Sequence, residues 1–203
     1  MTSNRSYLNL PTHCRCSQRG AVLAFSLLIL VVMTIIGIAS MSSTTLQERM
    51  ANNNNQRQIA FQAAEAALRA GEAFLVTNIT NISNLATNFN ATTPVAGLYS
   101  ERAPVVGAAT YPLPASANIF DDSGWLTVGN AIEVTTFTTV FQRPRFIIEY
   151  MGRAGAPPKD YSGKKQDPRQ YAFRITAIGW GEGTTPTVRY LLQSSFRLPM
   201  PPL

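Results

Sequence analysis

The chain has 203 residues, with 17 Lys and Arg against 11 Asp and Glu, one His and two Cys, for a formal charge of +6 at pH 7. That length allows one domain plus an anchor. Residues 1–20 hold Arg5, Arg15 and Arg19 and no acid, so beyond them 14 bases face 11 acids, a net +3 too mild to argue for nucleic acid as a partner.

His13, Cys14 and Cys16 all lie in that first stretch. A chain starting at Ala21 therefore has no Cys and no His, which rules out a disulfide in its body and any Cys–His metal site. A reduced, cytosolic tail that is later discarded accounts for all three residues. Lipoprotein processing at Cys16 conflicts with the order, because the apolar run follows the cysteine. No metal and no cofactor are expected.

Between Arg19 and Glu48 no side chain is charged. The apolar part, residues 21–41 with Ala21 and Met41 at its ends, is long enough to cross a bilayer as a helix, which takes about 20 residues. In lipid a lone segment must satisfy its own backbone hydrogen bonds, so helix is the conformation expected. The run is too long for a removable signal core of roughly 7–15 residues. Bases on one flank and Ser42, Ser43, Thr44 and Thr45 on the other keep residues 1–19 in the cytoplasm and put the body across the membrane.

The helical pattern continues through Leu46, Met50, Ile59, Ala63, Ala66, Ala67, Ala70 and Phe74, at three- and four-residue steps from Ile59 onward. A helix over residues 21–75 would be about 80 Å long. Gly37 costs about 1 kcal/mol relative to Ala and is a place for a bend or a close helix contact. Asn52 to Asn55 reads as a softened turn, and Glu65 with Arg69 as an i,i+4 pair. Ile59, Ala63, Ala66, Ala70 and Phe74 are expected to cover a sheet of the same chain, ahead of forming a partner surface.

These residues resemble a type IV pilin: a short basic leader, a Gly before the cut, a membrane helix and its amphipathic extension. More narrowly, RGAVLAFSLLILVVMTIIGIASMSSTTLQERMANNNNQRQIAFQAAEAALRAGEAFL resembles the N-terminal region of the PilX family of minor pilins. LQERMANN and AFQAAEAALRAGE carry the closest likeness. It spans residues 17–76, and the remainder is similar only in layout.

The resemblance implies a peptidase cut after Gly20 and N-methylation of Ala21, where many pilins have Phe. An uncleaved single-span anchor is the plainer alternative. It further implies that Phe25 stands where most pilins carry a Glu that pairs with the terminal ammonium of a preceding subunit. A subunit without that carboxylate fits a tip or initiating position, unless Phe25 is simply one more lipid-facing residue. The implied partners are other minor pilins, the major pilin, a PilY-type tip adhesin, the prepilin peptidase, the inner-membrane assembly platform and the membrane itself. A type II secretion pseudopilin shares these features, but its tip subunit usually carries a large inserted helical domain for which this chain has no room.

From Thr77 the composition turns polar, and Asn78, Asn81, Asn84, Asn88 and Asn90 mark a connector. Three Asn-x-Ser/Thr matches there, at Asn78, Asn81 and Asn90, are common by chance in such sequence. Residues 94–118, rich in Pro, Gly and Ala, read as irregular loop. Asp121 and Asp122 before Ser123-Gly124 read as a helix or turn start; a calcium site needs 6–8 oxygen ligands and this is a fragment of one. No arrangement for acid–base or nucleophilic catalysis appears, so a membrane-anchored periplasmic enzyme would rest on Asp121 and Asp122 alone.

The last third carries the sheet signal: residues 145–150, 171–179 and 187–196. Tyr171, Phe173, Ile175 and Ala177 fall on one face at period two. A fourth strand is expected near residues 132–141. Gly179 to Gly183 reads as a turn within a hairpin connection reaching Pro186. The loop from Gly152 to Pro168, with Lys159, Lys164 and Lys165, reads as basic and exposed, with an acidic partner as its alternative use. The fold expected is α+β, a pilin fold in which a long N-terminal helix packs on a C-terminal antiparallel sheet. Its parts are a leader (1–20), a membrane or filament-core half-helix (21–45), an amphipathic half-helix (46–76), a variable polar region (77–131) and a sheet head (132–203).

Overall fold

The computed structural model describes residues 19–115, 117–137, 140–156, 169–183 and 188–199. His13, Cys14, Cys16 and the lysines at 159, 164 and 165 lie outside the described residues. The elements are α1 (Arg19–Asn78), α2 (Ile82–Asn88), β1 (Leu98–Ser100), α3 (Asp122–Leu126), β2 (Ile132–Glu133), β3 (Arg145–Arg153), β4 (Tyr171–Trp180) and β5 (Arg189–Leu198). Two compact units divide between Ala51 and Asn52, within α1.

In the first unit every described side chain over residues 20–51 is exposed. Its hydroxyls turn back onto the helix. Ser26 donates to the Leu23 carbonyl at 2.9 Å, Thr34 to Val31 at 2.7 Å, Thr44 to Ser40 at 3.1 Å and Thr45 to Met41 at 3.1 Å. Each such bond leaves one fewer donor to satisfy in an apolar solvent.

The second unit joins the rest of α1 to a mixed sheet in the order β1-β3-β4-β5, with β2 also on β3. β3, β4 and β5 are antiparallel, as expected of this part of the sheet. β1 adds a parallel strand, Leu98 to Ser100 opposite Ile148 to Tyr150, so the sheet is not wholly antiparallel. The fourth expected strand is the two residues of β2, paired with Phe146 and Arg145. β1 and β2 together cover one edge of β3, while β5 ends the sheet at the other side.

Phe146, Ile148, Tyr150, Tyr171, Phe173, Ile175 and Ala177 point toward α1 and are buried. Ile147, Ile178 and Trp180 point to the far face, where Tyr99 and Trp125 bury them. Trp125 Nε1 donates to the Ile119 carbonyl at 2.9 Å, so the ring is buried without losing its hydrogen bond.

The helix stripe that meets the sheet is Ala60, Ala63, Ala64, Ala67, Gly71 and Leu75, all buried. It lies about one residue round from the expected Ile59, Ala63, Ala66, Ala70 and Phe74, of which only Ala63 is fully buried. Small side chains at the centre let the helix backbone approach the sheet, and Ala70 and Phe74 pack from the flank. A Cβ added at Gly179 would lie 2.3 Å from the Ala64 nitrogen and 2.4 Å from the Ala60 oxygen. Glycine is what allows that approach. Gly179 and Trp180 therefore end β4 and do not belong to the turn, which begins at Gly181; residues 184–187 lie outside the described residues.

Asn52 to Asn55 are helical, not a softened turn. Their side chains are exposed, so each costs only its intrinsic propensity, a few tenths of a kcal/mol. The polar connector after Thr77 contains α2. Asn81 caps it by accepting from the Asn84 N–H at 2.8 Å, and Leu85 is its buried anchor.

Candidate functional site

The first unit presents Val22, Leu23, Phe25, Leu27, Leu28, Ile29, Leu30 and further large apolar residues to its surroundings, all more than 40% exposed. A contiguous run of exposed large apolar side chains marks a membrane or protein interaction surface. The helix is long and apolar enough to cross a membrane. Phe25 is 67% exposed, and no carboxylate occurs between it and Glu48. Gly20 and Ala21 lie in the first turns of α1 and are exposed as well.

In the second unit Asp121, Asp122 and Glu133 are committed to local structure. Asp121 precedes α3 and accepts from the Ser123 hydroxyl at 2.6 Å, which holds its carboxyl below the usual range. Asp122 accepts from Arg189 at 2.6 Å and from Trp180 Nε1 at 3.2 Å, tying α3 to the ends of β4 and β5. The pair starts a helix, and its oxygens serve protein donors. Glu133 bridges Arg143 at 2.8 Å and Arg145 at 3.1 Å, and the hydrogen bond from Arg143 does most to lower its pKa. Among the described residues no three of His, Cys, Asp and Glu come together.

Arg174 grips Glu149 with two bonds, 2.8 and 2.7 Å, on the far face of the sheet. Glu149 is buried there, and its hydrogen bonds raise the Arg174 pKa. The neighbouring Tyr99 hydroxyl donates to the Asn130 carbonyl at 2.8 Å, and burial, with Tyr111 and Glu149 nearby, pushes its pKa to about 12. Sequence reasoning missed this pair. The available signal was that Glu149 and Arg174 both sit at far-face positions of period-two strands. A register shift between Tyr150 and Gly152 turns Arg153 to the α1 side, where its guanidinium lies 3.6 Å over the Tyr171 ring. Beside it opens a groove of about 480 Å³ walled by Pro104, Val105 and Ile82.

An exposed apolar half-helix, a small-residue half-helix and a sheet packed on it form the layout expected of a pilin. Residues 19–69 match the PilX N-terminal family, and residues 84–198 match the family described as Type IV pilus assembly protein PilX C-term. The chain belongs to the PilX family. It is a minor pilin of the type IV pilus, a structural component that works with other pilus proteins. The second match covers the far-face tyrosines and tryptophans and all three long strands, so PilX membership does not rest on the apolar helix alone. No curated protein and no solved structure gives a significant match to this PilX chain.

Proposed function

We propose that this minor pilin takes part in initiating type IV pilus assembly and occupies the tip complex. The observation that carries the reading is Phe25: an apolar, exposed residue at the fifth position after Gly20, in a helix with no carboxylate before Glu48. A shaft subunit gains from a buried carboxylate only if a neighbouring ammonium pairs with it, since an unpaired charge in an apolar core is expensive. A subunit at the leading end has no such neighbour to neutralise.

On this reading a prepilin peptidase cuts after Gly20 and Ala21 becomes the N-methylated terminus. Before assembly residues 21–41 span the inner membrane once, with the C-terminal body in the periplasm. Residues 21–45 then exchange lipid for the helices of other minor pilins and the major pilin, driven by the assembly platform. A PilY-type adhesin is the partner presented at the tip.

Mass spectrometry of sheared surface filaments tests the proposal. The expected species is a low-abundance chain beginning at N-methyl-Ala21. Abundant chain with residues 1–20 still attached, confined to the inner membrane, is the result that would overturn it.

A further inference from the structure

The two edges of the sheet are treated differently. One edge of β3 is covered by β1 and β2. β5 ends the other side, and among the described residues no backbone hydrogen bond reaches it except from β4. Its ladder with β4 runs from Trp180↔Arg189 to Tyr171↔Leu198 with no register shift. β5 has no Pro and no bulge, two of the devices by which proteins blunt an open edge, and its only charged side chains are Arg189 and Arg197. An edge of ten residues left in this state is a template for another strand.

The side chains along β5 specify what fits. On the α1 side Leu192, Phe196 and Leu198 are half-buried, and the exposed Tyr190 meets Phe61 edge-on at 5.7 Å. Apolar residues from an added strand would complete that row. On the far side the exposed residues are Leu191, Gln193, Ser195 and Arg197. Arg189 is held by Asp122 and the Phe120 carbonyl. Arg197 has no ion pair among the described residues. β5 itself contains no acid, so a second copy of this strand offers Arg197 nothing, and one long antiparallel register sets Arg189 against Arg197.

We infer that the outer edge of β5 accepts an extended segment of a different pilus subunit. That segment is apolar at alternate positions and carries an Asp or Glu opposite Arg197. This rests on the reading of the chain as an assembling minor pilin.

The test places a photo-crosslinking residue at Ser195 of the full chain in piliated cells, with the exposed Val128 as the control position. The expected adduct joins Ser195, and not Val128, to an acid-bearing strand segment of another pilus subunit. Arg197→Glu should lower its yield about tenfold, the effect of roughly 1.4 kcal/mol. Successive residues of a strand point their N–H groups to opposite edges, so one of Gln193→Pro and Ser194→Pro keeps the β4 ladder. The variant that accumulates normally should lose the adduct. Adducts only to a second copy of this chain or to lipid, or an adduct indifferent to the tolerated proline, overturn the inference. So does the absence of any Ser195 adduct in a strain whose pili vanish when the chain is deleted, and there the functional reading survives. Pili unchanged by deletion would overturn both.

Discussion

Gly179 sits where the β4 backbone meets the α1 backbone. Any Cβ there meets Ala60 and Ala64 main-chain atoms that cannot move aside singly. Gly179→Ala should destabilise the second unit by about 1–3 kcal/mol, in the range for overpacked sites. The chain has two tryptophans, and Trp125 and Trp180 are both buried on the far face, so tryptophan fluorescence of the detergent-solubilised chain reports this unfolding. The Glu149–Arg174 pair makes a second test by the same signal. Arg174→Met strands a buried carboxylate and should cost about 3 kcal/mol, whereas Glu149→Leu with Arg174→Leu should cost less than the single change. Sequence showed that position 179 was glycine and that 149 and 174 were charged residues within strand patterns. It did not show the helix backbone lying against one or the ion pair joining the others, because both depend on which strands are neighbours.

Elements were legible in proportion to their length. The three long strands and α1 repeat their period often enough to be read directly. β1 and β2, of three and two residues, show no period, and they exist because β3 offers them an edge. α2 was hidden in Asn-rich sequence whose signal is a cap, Asn81, and a single apolar anchor, Leu85. β2 is held through Glu133, whose folded pKa is lowered by Arg143 and Arg145. A depressed carboxylate contributes stability above its unfolded value near 4.5, and that contribution disappears as pH falls through the lower folded value. Glu133→Gln should therefore lower stability at neutral pH and flatten the acid limb of a fluorescence-monitored pH titration. An acid limb as steep as in the parent chain would show that Glu133 is not what shapes it.

For the molecule as a whole, residues 20–25 carry the functional prediction. Gly20→Arg should block processing, leaving a larger band on a gel and fewer pili; unchanged migration and piliation would remove the basis of the assembly role. Phe25→Glu should let the subunit enter the filament away from its end, seen as immunogold label along the shaft. Label confined to the tip would show that position 25 is not what restricts it.

Sequence alone determined that the chain has a membrane-length apolar helix, a helical extension and a terminal sheet. Those properties follow from local periodicity and from the absence of charge between Arg19 and Glu48. Tertiary structure alone decided which helix face meets the sheet, how the short strands join β3, and that, among the described residues, one sheet edge is covered while β5 pairs only with β4. Each of these depends on backbone approach and neighbour order, and a one-dimensional pattern does not encode either.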